Sequence, residues 1–419
     1  MHKRATMPSS TYIGIYLQRH SFENKMETLP DLVLEKVFEY LDYKQLNKMR
    51  RVSWKMKMIA DSEYLWKTQC VWCWVLDKKP IICTSWRESF TLYYDKYKKY
   101  IDCYRSVKST WNKLEDWLKT NCQEIYENLN PGVAEEDIIA FEEQNNIILP
   151  NDFKLSYMLH NGQDIETENG LFGGFFTPSN GLVMISMLDF ENSCLDYQEE
   201  FPRTLPFTSL ISYQYTHGQV AQCLEPTHFF YSSKVVRGTW DNHAVVVSSS
   251  FSDWFSRYTD LLVNSNYLLH EGNILIYDKA TEVSCTTGHI TVKVRWMLLH
   301  CNNVCPEYIL FHYGYYITMT MDPDAPSHES CQLESRHWDI VDADGNNHSV
   351  DGEGVVGEYP IMKPGATFSW NSFTQFVSAS GSMRGYFVMR NLSDPGKRLR
   401  VLCPEFTMHP KVPATDVVE

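Results

Sequence analysis

The stretch Leu29-Pro30-Asp31-Leu32-Val33-Leu34-Glu35-Lys36-Val37-Phe38-Glu39-Tyr40-Leu41-Asp42 governs how the rest of the chain is read. Its apolar residues at 29, 32–33, 37–38 and 41 recur at the three-to-four spacing of a helix with one apolar face. Thr28 is placed to cap that helix, with Pro30 in the first turn, where a missing N–H costs nothing. Asp42-Tyr43 breaks the period, and Leu46, Met49 and Val52 resume it. A third helix is expected through Met56, Ile59 and Ala60, with Trp66 a few residues on. Helices this short and closely spaced cannot each bury an apolar face alone; they must cover one another or a partner.

On the N-terminal side, residues 1–25 show no period and read as a flexible leader. MHKRATMPSSTYIGIYLQRH lacks the continuous apolar core of a signal peptide, and no apolar run reaches the ~18 residues of a membrane span. With no secretory signal, the 12 scattered cysteines are expected to be reduced thiols of a cytoplasmic and/or nuclear protein. A net charge of −14, from 52 acidic and 38 basic residues, repels phosphate backbones and anionic lipid. Nucleic acid and membrane are therefore not expected as partners.

Toward the C-terminus, helical spacing continues through Phe90, Tyr94, Tyr97, Ile101, Tyr104, Trp111 and Leu114. The character changes at Asn130-Pro131-Gly132. A helix around Glu135–Phe141 precedes a short apolar strand, Ile147-Ile148-Leu149, closed by Pro150. A second helix from about Phe153 is stopped by His160-Asn161-Gly162. Mixed strands and turns follow, then a helix near Asp253–Leu262. Beyond Tyr277 the period becomes two, as in Ile290-Thr291-Val292-Lys293-Val294, with turn signals at Asp344-Gly345, Lys363-Pro364-Gly365 and Asp394-Pro395-Gly396. Several short strands in ~130 residues predict a β-sandwich. The expected organisation is multidomain α+β: a leader (1–25), a helical module (26–70), a helical linker (71–122), a mixed α/β domain (123–265), an all-β sandwich (278–410) and a tail (411–419).

The helical module resembles an F-box in its Leu29-Pro30 start, Leu41-Asp42 break, Leu46, Val52-Ser53 and closing Leu65-Trp66. The tryptophan usual four residues after Val52 is Met56 here, and Trp54 stands two residues earlier. The resemblance implies docking on the Skp adaptor, and through it on a cullin–RING scaffold. By position Leu29, Pro30, Leu34, Val37, Phe38, Leu41 and Leu46 are the candidate Skp contacts, some of which must instead hold the module's own helices together. The middle region resembles the Smi/Knr-type (SUKH) domain in Glu135–Glu142, Ile147–Phe153 and His160-Asn161-Gly162, with Trp254-Phe255 expected to close it. Such domains are mostly binding modules. The last ~130 residues resemble an ApaG domain, a fibronectin-like sandwich, in Arg336–Ile340, Gly352–Pro360, Pro364-Gly365 and Gly381–Tyr386. Together these resemblances imply a non-catalytic substrate receptor of a ubiquitin ligase that captures protein substrates with its C-terminal domains. Candidate contacts are Arg336, Trp338, Glu358 and Tyr386. Two rivals remain: a Skp-binding adaptor that works without cullin, and a small-ligand enzyme centred on the ApaG-like domain.

The chemical motifs have plainer readings. Gly352-Glu353-Gly354-Val355-Val356-Gly357 matches a dinucleotide pattern, but Pro360 and strand-like surroundings leave no helix to receive a pyrophosphate. It reads as a loop between sandwich strands. Glu358 and Arg336 beside it either line a polar groove that selects a protein partner or form an internal ion pair. His300, Cys301, Cys305 and His312 do not complete a zinc framework. Cys70 and Cys73 lie in helical sequence without a redox context, and Asp342–Asn346 reads as a hairpin turn rather than a calcium loop. Tyr93, Tyr97 and Tyr100 share one helix face beside Lys96 and Lys99, as in an amphipathic linker with snorkelling lysines. No catalytic residue, metal ligand or cofactor site is assigned.

Overall fold

The computed structural model describes residues 28–145, 147–163, 170–173, 182–184, 205–216, 219–231, 234–238, 244–264, 267–270, 273–305, 308–409 and 417–418. The leader at 1–25 and most of the tail lie outside the described residues. The chain divides into two compact units, 1–109 and 110–419. Its architecture is the expected multidomain α+β.

The first unit is helical: α1 (Asp31–Phe38), α2 (Tyr43–Met49), α3 (Trp54–Ala60), α4 (Glu63–Trp74), α5 (Trp86–Tyr97) and the start of α6 (Ile101–Asn121). Helix α1 is capped by Pro30, not Thr28. The Pro30 carbonyl accepts the Val33 and Leu34 amides at 3.0 and 3.1 Å, and the proline ring keeps Leu29 out of the helical region. Asp42 then caps α2 reciprocally, accepting the Gln45 amide at 2.7 Å while Gln45 accepts the Asp42 amide at 3.0 Å. Ser53 caps α3 by accepting the Met56 amide. Leu34, Phe38, Leu41, Leu46, Met56, Leu65 and Trp66 form the buried core. The Gln69 amide donates to the Leu41 carbonyl at 3.0 Å, satisfying a buried acceptor at the α1–α2 corner. Phe90 of α5 meets the rings of Trp66 and Trp74, and Tyr97 and Tyr100 are buried while Lys96 and Lys99 face water.

In the second unit, α7 (Gln123–Glu127), α8 (Glu135–Asn145), α9 (Asn151–Leu159) and α10 (Phe251–Val263) accompany a small pair, β1 (Leu129–Pro131) with β2 (His160–Gln163). A six-stranded sheet is built from β3 (Leu182–Met184), β4 (Leu205–Thr216), β5 (Gln219–Tyr231), β6 (Lys234–Gly238), β7 (Ala244–Ser248) and the terminal Val417–Val418. Trp111 is fully buried, donates from Nε1 to Ser156 Oγ at 2.9 Å and packs on Phe255. Phe172 and Trp254 complete this aromatic core, as expected of Trp254-Phe255. Two local expectations are corrected. Residues 147–150 form no strand: the Ile147 amide is taken by the Glu142 carbonyl and the Leu149 amide by the Glu142 carboxylate, so the segment folds back on α8. Asn161-Gly162 does not stop α9, because His160 is already extended and the pair lies inside β2.

The C-terminal part is a two-sheet sandwich whose helical turns, among the described residues, are two short 3-10 turns, Lys279–Thr281 and Ser327–Glu329. After a short pair, β8 (Leu268–His270) with β9 (Asn273–Leu275), one sheet orders β10 (Val283–Thr287), β11 (Ile290–Cys305), β12 (Tyr308–Met321) and β16 (Thr367–Phe376). The other orders β14 (Asn347–Glu353), β13 (Cys331–Asp342), β17 (Gly381–Asn391) and β18 (Arg398–Met408), with β15 (Ile361–Met362) also on β13. All pairings are antiparallel. Alternate residues from both sheets, among them Val292, Ile317, Trp370, Trp338, Phe387 and Val401, interleave in one core.

Candidate functional site

Two surfaces carry the candidate residues, one in each unit. On α1 two apolar stripes run side by side. Leu34, Phe38 and Leu41 make one; Val33, Val37 and Tyr40 make the other, offset by one residue, or about 100° around the helix. The first is buried in the unit's own core and the second is exposed. Of the seven candidate Skp contacts, Leu34, Phe38, Leu41 and Leu46 are therefore taken up internally. Leu29 is half-buried, and Pro30 and Val37 face water. The exposed surface holds residues that the sequence reading passed over: Leu32 (72% exposed), Val33, Tyr40 and, on α3, Trp54 (73%) and Met58. Met56 is buried where the usual tryptophan would sit, so Trp54 is displaced outward rather than inward. Lys55 donates to the Leu29 carbonyl at 2.6 Å and pairs with Asp31 at 3.3 Å, fixing the start of α3 against the start of α1. Ser62 donates to Glu35, and Arg50 Nε bonds Asp61 at 2.5 Å.

In the sandwich, the four candidate substrate contacts separate. Trp338 is core, edge-on to Phe387, and is not available as a contact. Arg336 Nη1 donates to the Glu353 and Gly354 carbonyls at 2.9 and 2.7 Å and lies across Gly352. It braces the glycine-rich loop through main-chain acceptors. That loop is a tight turn closed by the Val355 and Glu358 amide–carbonyl pair, with φ of 45° at Val356 and 83° at Gly357. No helix follows it, as the strand reading predicts. Glu358 is exposed at its end, and the Tyr359 hydroxyl donates to Glu353 at 3.2 Å.

Tyr386 belongs to the outer face of the β14-β13-β17-β18 sheet, where register aligns it with His337 and His337 with Asp351. The His337 ring stacks on Tyr386 at 4.9 Å, and the Arg400 guanidinium covers Tyr386 at 4.6 Å. His337 Nδ1 reaches Asp351 at 2.7 Å and Nε2 reaches Asp339 at 3.3 Å. Asp339 also accepts from Ser349 and pairs with Arg384 at 3.7 Å. The hydrogen bond to Asp351 raises the His337 pKa above the ordinary histidine value, while the Ser349 hydroxyl holds Asp339 below the ordinary carboxylate value. His337, Asp339, Asp351 and Arg400 were missed in sequence because their alliance depends on cross-strand register.

The other motifs take structural roles. Asp342 Oδ1 accepts the Asp344 and Asn346 amides, which makes 342–346 a hairpin turn. Burial raises the Cys70 thiol to about 12 and the Cys73 thiol to about 11. His300 and His312 are cross-strand partners in backbone register, but the side chains of His300, Cys301 and Cys305 lie outside those described. Among the described residues no helix is long and apolar enough to cross a membrane.

Comparison with known proteins places three family models along the chain: the F-box domain at 26–68, the SMI1 / KNR4 family (SUKH-1) at 132–257 and the ApaG domain at 303–391. F-box only protein 3 of Homo sapiens is 31% identical over 393 residues, covering 91% of this chain and 83% of that protein. F-box protein SKIP16 of Arabidopsis thaliana is 25% identical, covering 91% and 98%. Protein ApaG of Deinococcus radiodurans is 38% identical over 119 residues, 28% of this chain and 86% of its own.

Proposed function

The chain belongs to the F-box only protein 3 family, and from that membership we propose that it is the substrate-recognition subunit of an Skp–cullin–F-box ubiquitin ligase. The F-box holds the Skp adaptor, the adaptor holds the cullin–RING scaffold, and the SUKH and ApaG domains (123–265 and 278–410) hold a protein that is ubiquitinated and degraded. The chain's contribution is proximity: tethering raises the effective concentration of the target near the charged conjugating enzyme. No acid, base or thiol of this chain enters the transfer.

The observation that carries the reading is the exposed stripe of Leu32, Val33, Val37 and Tyr40, with Trp54 and Met58 on α3, on a module whose own core is already complete. Large apolar and aromatic side chains held rigidly at a surface are the anchors of protein interfaces. The adaptor contacts are accordingly this stripe with Leu29 and Pro30, while Leu34, Phe38, Leu41 and Leu46 shape it from beneath. On the ApaG domain the capture surface is the outer face around Tyr386, together with the Arg336-braced loop and Glu358. Tyr386, His337 and Arg400 offer a flat aromatic and cationic platform.

The test is co-purification of the full chain with Skp and cullin, beside a Val33→Asp/Val37→Asp variant. Both partners with wild type and neither with the variant support the ligase reading. Skp without cullin turns the protein into an adaptor or scaffold, and capture of neither by wild type refutes the assignment.

A further inference from the structure

The sheet that carries the His337 platform ends on one side in β14, and among the described residues no strand pairs with the outer edge of β14. Its pairing with β13 runs from Asn347 to Glu353 without a shift in register. The parity of that ladder is set at its two ends, where the Gly354 amide donates to the Glu334 carbonyl and the Asp342 amide to the Asn346 carbonyl, both at 3.0 Å. Antiparallel strands exchange main-chain bonds at alternate pairs. His348, Val350 and Gly352 are therefore bonded to β13, while Asn347, Ser349, Asp351 and Glu353 turn their amides and carbonyls outward. Such an edge is a template for a further strand, and proteins usually block it with proline, lysine or a bulge. β14 has none of these. Its two carboxylates are tied back into their own sheet: Asp351 is held to His337 at 2.7 Å, and Glu353 accepts the Tyr359 hydroxyl at 3.2 Å.

The strand is also complementary to itself. Two copies of β14 laid antiparallel about a dyad at Val350 bring Ser349 opposite Asp351 and Asn347 opposite Glu353. Each carboxylate then meets a neutral residue, and each outward amide meets a carbonyl. Val350 meets its own copy. Its side chain lies on the core side of the sheet, in register with Trp338, and is 38% exposed at that open edge. The two Asp351 carboxylates become diagonal neighbours across the dyad, each hydrogen-bonded to its own His337. A dyad at Gly352 would instead set Asp351 directly against Glu353, and like charges directly opposite are destabilising. A dyad at His348 would set two imidazoles together. The register centred on Val350 opposes apolar to apolar and no charge to its like.

We propose that the ApaG sandwich pairs with a second copy of this chain edge to edge through β14, so that the two five-stranded sheets become one. The contact is isologous and closes on itself, because the same strand serves both copies. Residues directly opposite each other in a sheet share a face, so the joined sheet presents two platforms of His337, Tyr386 and Arg400 on one side. That arrangement gains avidity for a partner with two binding sites. The inference goes beyond the receptor reading and needs neither Skp nor a substrate.

The experiment is sedimentation equilibrium of the full chain in reducing buffer, wild type beside Val350→Lys, together with cross-linking of Val350→Cys by oxidised glutathione. Wild type is expected to form dimers in concentration-dependent equilibrium with monomer. Val350→Lys sets two ammonium groups at the dyad and is expected to associate roughly tenfold or more weakly while keeping the circular dichroism of wild type. The paired 350 positions are of the closely spaced kind, about 4.5 Å between Cα atoms, which a disulfide can span. Val350→Cys is therefore expected to give a disulfide-linked dimer much faster than wild type or Ser349→Cys, whose residue 349 faces Asp351 and not its own copy. If wild type dimerises but Val350→Lys dimerises equally and Val350→Cys links no faster than Ser349→Cys, the copies meet elsewhere and the proposal is overturned. A wild type that stays monomeric also overturns it, whether the edge is left to water or taken by an extended segment of another protein.

Discussion

Replacing Gly385 with alanine should destabilise the ApaG sandwich at its centre while leaving adaptor docking intact. Gly385 on β17 pairs with Trp338 on β13, and both strands are interior to their sheet. A Cβ there would lie 2.0 Å from the His337 carbonyl oxygen and 2.8 Å from Trp338 Cε3. An ordinary carbon–oxygen contact is more than 3 Å, so the strands must part by roughly 1 Å against main chain, where no rotamer change gives relief. The displaced pair is the point where Trp338 enters the core and His337 joins the outer platform. Overpacking of this kind costs about 1–3 kcal/mol, a fall of roughly 4–12 °C in the melting point of a domain this size. Gly288→Ala is the control. Nothing lies within 4 Å of its Cβ and only the φ of +59° opposes it, a penalty of about 1 kcal/mol. Scanning calorimetry of the full chain separates the two. If Gly385→Ala melts no lower than Gly288→Ala, the close approach does not constrain the strands and the reasoning is wrong. Skp capture by Gly385→Ala should equal wild type.

Leu34→Ala should destabilise the helical unit by about 2–5 kcal/mol, whereas Val37→Asp, three residues along on the exposed stripe, should leave its denaturation midpoint within the equivalent of about 0.5 kcal/mol yet abolish Skp capture. Equal loss of stability in the two would show that the stripes are not distinct. The pH response of the sandwich turns on His337. Its pKa is raised in the folded state, so its stabilising charge is fully present below the unfolded value of about 6.5 and is lost as pH rises through the raised value. The sandwich melting point should fall over that window in wild type and not in His337→Gln; Asp339, depressed in the fold, acts only on the acid side. Cys70 and Cys73, raised to about 12 and 11, should react with a thiol reagent at about pH 8 far more slowly in the folded protein than in denaturant. Equal rates would place them on an accessible surface.

The parts of this protein that were legible in sequence are those where one period settles one question. Alternation over 290–294 foretells a strand buried on one side, and the 29, 32–33, 37–38, 41 spacing foretells a helix; the structure contains both. Periodicity does not say what covers an apolar face. Because 33, 37 and 40 repeat at the same interval as 34, 38 and 41, the α1 sequence names two equivalent stripes. Only the packing of the finished unit, which buries 34, 38 and 41 and leaves 33, 37 and 40 exposed, decides which is core. Four candidate anchors were assigned to the partner when their own helices needed them. Trp338 failed for the mirror-image reason: its strand parity points it inward, but the shift in register between Leu333 and Ser335 moves which residues share a face. The His337 platform was hidden for a third reason, since Asp351, Tyr386 and Arg400 are brought to it by three different strands. What sequence cannot assign in each case is the partner of a surface. The residues left outward after the core is satisfied are therefore the best guide to what the protein binds. By that criterion the α1 stripe of Leu32, Val33, Val37 and Tyr40 is the surface to follow, because no packing within its own unit explains it.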